Sequence, residues 1–231
     1  ALQLTNPATN ATGEYAFKDI LDLGAVFSLD LKRVIRSVGF NIGTDIETII
    51  PSGSLWDNYA LDGNFDGPSA DEANCQIQVA TSQTASGSFG SFNNFANGTF
   101  KGRRFKFKLI LETTNVSQNM NVQQAGYTAE FQSRTEQNYQ TGGSTSTAPQ
   151  SSGTSAKAVT FGSPFFTGAT GLGGANAFLP TVGITIQNAQ SGDFFTITNV
   201  SGTGFTVNIK NGSSFVDRSF TFSAVGYGKG V

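Results

Sequence analysis

The sequence predicts an all-β protein built as two β-sandwich, jelly-roll-like modules, and three observations carry that expectation. The first is Gly102–Leu111, where Phe105, Phe107, Leu109 and Leu111 fall on one face of an extended strand and Arg104, Lys106 and Lys108 on the other. Strict period-2 alternation marks a half-buried antiparallel strand; a helix would scatter those four apolar groups around its axis. The second is a run of short strands separated by turns at even spacing near the C-terminus, the pattern of a meander in a sandwich or barrel. The third is composition. Charged residues make up only 13% of the chain, against about 25% in ordinary domains, and Gly, Ser, Thr, Asn and Gln fill the deficit. Twenty-one Phe, at roughly 1.5–3 kcal/mol for each one buried, supply enough apolar surface to offset chain entropy.

In chain order, residues 1–13 read as a polar, turn-rich N-terminal arm. Residues 14–132 read as the first sandwich. Within it, Phe27, Leu29 and Leu31 alternate with Ser28 and Asp30, and Val34–Ile42 continues that strand or starts another; a helix over 30–38 is the alternative, but β-branched residues favour a strand. Cys75, Ile77 and Val79 point inward from another strand, which makes the only cysteine a small buried hydrophobe and leaves no intrachain disulfide. Residues 133–157 hold one sizeable apolar group, Tyr139, and read as a Gly/Ser/Thr-rich interdomain linker. Residues 158–231 read as a small sandwich tip. There Val182, Ile184 and Ile186 alternate with polar neighbours, and Asn211-Gly212 predicts a type I′ hairpin turn.

Several function classes are disfavoured. A net charge of −2 without a basic run argues against nucleic-acid binding. No apolar run is long enough for a membrane span. Histidine is absent, which removes Ser-His-Asp and Cys-His catalysis and the commonest transition-metal ligand. No catalytic residue, metal site or cofactor is assigned, and the chain is not expected to be an enzyme.

The candidate ligand-binding residues lie in the acidic, Gly-rich stretch 55–72: Trp56, Asp57, Tyr59, Asp62, Asn64 and Asp66. An aromatic face beside Asp and Asn acceptors suits a sugar, although a lone Trp is more often core. Asp62-Gly63-Asn64-Phe65-Asp66-Gly67 matches the opening of a calcium loop, but the twelfth position is Ala73 where a bidentate Glu belongs. A solvated turn with Asp and Asn side chains on backbone N–H groups is the simpler account. A glycosidase pair would need two carboxylates roughly 5–10 Å apart, and no spacing here fixes one. Phe89, Phe92 and Phe95 form either a loop folded onto the core, which is favoured, or an exposed apolar patch. Arg104, Lys106 and Lys108 read as the solvated face of a sheet.

Leu55–Tyr59, Cys75–Ser82 and Phe95–Leu109 together resemble the late domains of the host-specificity (tip attachment) proteins of lambda-like tailed bacteriophages and related tail fibres. In that family a "W-D-D-Y" loop, a "Q-I-x-x-S" strand and a "G-R-Y-F-Q-F-K-L-x-L" strand recur in this order. The resemblance covers about residues 20–130 and departs at Arg104, where the family often has Tyr. Phe194–Tyr227 is similar to small β-sandwich tips of phage fibres and to H-type lectins. The resemblance implies a virion tail component, a trimer, that contacts other tail proteins and binds a bacterial surface glycan or outer-membrane protein. The alternative is a purely structural virion subunit of the fibre, baseplate or capsid decoration.

Overall fold

The computed structural model describes residues 2–42, 72–137 and 149–230, which are all-β without a helix. The strands of the first part are β1 (Thr12–Ala16), β2 (Leu21–Asn41), β3 (Ala73–Ser82), β4 (Asn93–Asn94), β5 (Gly98–Thr113) and β6 (Gln118–Glu130). The chain continues through β7 (Ser133–Gln137), β8 (Gln150–Ser151), β9 (Lys157–Thr160), β10 (Thr181–Ile186) and β11 (Asp193–Thr198). It ends with β12 (Gly204–Asn211), β13 (Ser214–Phe215), β14 (Ser219–Tyr227) and β15 (Lys229–Gly230).

The large sheet is centred on β2 and β5. The alternation in β5 does what its sequence requires: Phe105, Phe107, Leu109 and Leu111 are buried, and the cations between them face outward. One edge of β5 pairs with β3; the other pairs first with β2 and then with β1. The strand β2 changes partners along its length. Its first part lies against β5, and from Asp30 onward its opposite edge lies against β6. A bulge between Asp22 and Phe27 bends it, with Gly24 at φ 81° and the Gly24 N–H donating to Asp22 Oδ1 at 2.8 Å. Bulges increase local twist. The sheet coils far enough for β6 to fold over β5, where Phe107 and Tyr127 stack at a centroid distance of 4.5 Å.

The expected N-terminal arm is partly built into this core. Leu4 is buried, and the amide of Asn119 bonds both its backbone N–H (3.2 Å) and its carbonyl (2.9 Å). The strand β1 opens within it at Thr12.

Two smaller sheets share a second core. One has β14 at its centre, with β10 on one edge and β7 and β8 on the other. The other has β12 at its centre, with β11 on one edge and β9 and β13 on the other. Phe205, Val207 and Ile209 of β12 pack against Phe220, Phe222 and Ala224 of β14. The hairpin turn sits one residue later than expected. Asn211 pairs with Ser214, so Gly212 and Ser213 form the tight loop, and only Gly212 takes positive φ (60°). That is the demand of a turn with glycine first, not of an Asn-Gly type I′ turn.

The segment expected as a linker begins and ends as strand: β7 and β8 pair with β14, and β9 with β12. Residues 138–148 lie outside the described residues. In β7, Arg134 and Glu136 point to the same side and pair at 3.5 Å. Buried Glu136 also accepts the Gly162 N–H, and the Arg134 guanidinium lies over the Phe165 ring at 4.0 Å. Burial lowers the Arg134 pKa, and Glu136 opposes that.

The two cores meet at one dipeptide. Successive side chains of an extended segment point to opposite sides, so Phe165 enters the second core and Phe166 the first. Phe166 stacks on Phe131 at 3.9 Å and meets Phe27 edge-on at 5.8 Å. The chain end then returns to the large sheet, with β15 pairing against Phe27 and Ser28 of β2. Gly228 makes this turn at φ 93°, and a Cβ there would stand 2.8 Å from the Phe27 ring.

Phe166→Ala should lower unfolding free energy by about 3–5 kcal/mol in urea titration, the range for a truncated core Phe; a loss below about 1 kcal/mol would mean the seam contributes little. Asp193, at the start of β11, has its carboxyl held far below the ordinary range, chiefly by Arg218 and then by the Gln190 N–H and Asn211. Its stabilisation is therefore full above the unfolded pKa of about 3.9 and lost as pH falls below it. The stability gap between wild type and Asp193→Asn should stay constant above about pH 5 and narrow below about pH 4. A gap that stays flat on acidification would contradict the assignment.

Candidate functional site

The six residues expected to touch a ligand (Trp56, Asp57, Tyr59, Asp62, Asn64 and Asp66) lie outside the described residues. The residues that bracket their stretch are well placed. The Ile42 N–H donates to the Ser117 carbonyl at 2.7 Å. Glu72 bonds through its N–H to Gln118 Oε1 at 2.9 Å, and through its carboxylate to the Asn115 amide at 2.7 Å. The Thr114 N–H meets the Glu72 carbonyl at 3.0 Å. Residues 114–118, the turn between β5 and β6, thus fasten both ends.

The phenylalanine triplet divides. Phe95 is a core residue, edge-on to Phe100 and tilted against Phe107. Phe89 and Phe92 lie instead on the outer face of β5, under Arg104 and Lys108, each 4.8 Å from the ring centroid. Arg104 also donates from Nε to the Thr84 carbonyl at 2.8 Å, and Lys108 pairs with Glu14 at 2.8 Å. The basic stripe is therefore covered at Arg104 and Lys108 by the 83–95 loop and by β1, where the sequence suggested a freely solvated face. Cation–π contacts of this kind contribute about 0.5–1 kcal/mol each at exposed sites.

A cleft that the sequence did not announce opens on the other side of the large sheet, with a volume of about 420 Å³. Its walls come from four places in the chain: Phe17 to Leu21 between β1 and β2, Ile77 and Phe107 on the inner face, Ala125 to Tyr127 of β6, and Thr170 and Gly171. The floor is apolar. The rim carries the Asp19 carboxylate, the Tyr127 phenol and the Thr170 hydroxyl. Burial raises the Tyr127 pKa, and the Asp19 charge raises it further, so the phenol stays a hydrogen-bond donor throughout the neutral range. An apolar floor with a few convergent polar groups is the usual form of a small-ligand site. Exposed Ile20 extends the apolar surface beyond the rim.

No protein-family model, curated protein or solved structure matches the chain. Among the described residues, no three His, Cys, Asp or Glu side chains converge as metal ligands, and no helix is long and apolar enough to cross a membrane. Cys75 packs at the margin of the first core, and burial pushes its thiol up to about 11, so it is a poor nucleophile at neutral pH.

Proposed function

We propose that the protein is a bacteriophage tail-fibre or tail-tip component that binds the host cell surface, gripping a glycan or an outer-membrane protein. The observation that carries this reading is the fastening of Ile42 and Glu72 to the single turn 114–118. It holds the residues on either side of the tryptophan-containing stretch to a stiff sheet, and recognition residues are commonly carried on such rigid scaffolds. The resemblance to tail attachment proteins supports the same reading, because its two strand motifs are hydrogen-bonded neighbours, β3 and β5.

Trp56, Asp57, Tyr59, Asp62, Asn64 and Asp66 form the contact loop in this account, and the Asp19–Tyr127 cleft is a second place for an apolar or sugar group. The chain acts as a homo-oligomer, a trimer, beside other tail proteins in the virion, where repeated weak contacts gain by avidity. It binds and does not cleave.

Fluorescent protein incubated with host cells, or with arrayed surface glycans, tests the assignment. Replacing Trp56 and Tyr59 together by Ala should reduce binding at least tenfold, about 1.4 kcal/mol, with the thermal midpoint unchanged. Binding equal to wild type would discard the loop.

A further inference from the structure

We propose that the outer edges of β10 and β11 are the docking surface for a second copy of this chain, which continues both sheets across the contact. Each strand is paired on one side only, β10 with β14 and β11 with β12. Among the described residues, no backbone group of 181–186 or 194–198 bonds outward from these edges. The short connection 187–192 joins the two strands, while β8 and β9 are joined by 152–156 on the other flank, so the two open edges share one side of the second core.

Free edges are normally guarded by charge, proline, bulges or a covering segment. Residues 181–198 carry no outward charge, proline or bulge, and among the described residues no segment bonds across either edge. Residues 181–198 contain no Lys, Arg, Glu or Pro. Their one charged group, Asp193, is turned inward, 1% exposed, onto Arg218 Nε at 2.6 Å and Asn211 at 2.9 Å. Both pairings run without a register shift.

The seam between the two sheets is also open along these edges. Phe195 pairs with Ile209, which is 1% exposed, so Phe195 faces the core; yet it is 43% exposed. Ile184 and Ile186 pair with buried Phe222 and Phe220 but are themselves only partly buried. Phe194, on the opposite face of β11, is 46% exposed.

The lack of charge selects the occupant. A different protein would be distinguished chiefly by complementary charges, and this strip offers none. A second copy brings unpaired backbone and apolar residues of the same kind, so an open edge of one chain satisfies an open edge of the next without like-charge repulsion. Phe-Phe-Thr-Ile-Thr, rich in β-formers and free of glycine and proline, is the composition that favours strand-to-strand association.

Light scattering coupled to size exclusion on the full chain at micromolar concentration tests the proposal. The expected result is a mass of two or more chains, falling to one chain in Thr196→Lys and in Thr185→Lys with unchanged far-UV circular dichroism. Both threonines are exposed, so the lysines block the edges without entering the core. A single-chain mass for wild type, or an oligomer that survives both lysines, would overturn it; so would association only after a host-cell extract is added. The self-association deepens the oligomer already proposed: absent host binding with the oligomer intact defeats receptor binding alone, whereas monomeric protein that still binds host cells defeats this docking surface and the trimer but leaves receptor binding standing.

Discussion

The structure depends on the opposed side chains of Phe165 and Phe166. One backbone step places a ring in each core, and among the described residues no other neighbouring pair of buried residues divides between the two. Around Phe166 the contacts with Phe27 (edge-on) and Phe131 (stacked) are close, and aromatic pairs contribute about 0.5–1.5 kcal/mol beyond burial. Around Phe165 the Arg134 guanidinium covers the ring while holding Glu136. Two backbone bonds fix the step itself, Phe165 N–H to the Gly202 carbonyl and Phe166 N–H to the Tyr227 carbonyl.

This seam connects packing to the cleft. Residues 168–174 follow directly from Phe166, and Ala169 is buried in the first core with Leu172 packed beside it. Thr170 and Gly171 therefore reach the cleft rim because the chain is pinned at Phe166 and Ala169. Thr170 and Gly171 come from a segment more than forty residues beyond Tyr127 in sequence. The cleft is a property of the joined structure, and the first sheet alone would present a shallower face. Low charge fits this construction. The chain's cohesion rests on phenylalanine burial and on backbone ladders, and ion pairs such as Arg218–Asp193 fix the ends of strands.

Much of the fold was legible in the sequence where one face of a strand is apolar and the other is not. That holds for β5, for Ile77 and Val79 of β3, and for Phe220, Phe222 and Ala224 of β14. It fails for β7. Ser-Arg-Thr-Glu-Gln has no apolar alternation, because this strand is held by its ladder to β14 and by the pairing of half-buried Arg134 with buried Glu136. The twenty-one residues of β2 were hard to read as one strand, since a bulge at Gly24 and a change of partner at Asp30 interrupt its pattern. The burial of Leu4 depends on an amide at Asn119, far away in sequence, and no local pattern carries that contact. For the candidate site, the sequence pointed to an aromatic-acidic loop whose bracketing residues are now located, and it was silent on the cleft, whose walls are brought together only by tertiary contacts.

Differential scanning calorimetry of the full chain tests most directly whether the two cores act as one structure. If the Phe27–Phe131–Phe166 seam and the return of β15 couple them, heating gives one transition whose calorimetric and van't Hoff enthalpies agree, as for a single cooperative unit. Two resolved transitions, or a calorimetric enthalpy near twice the van't Hoff value, would show that the cores melt independently and would contradict the account.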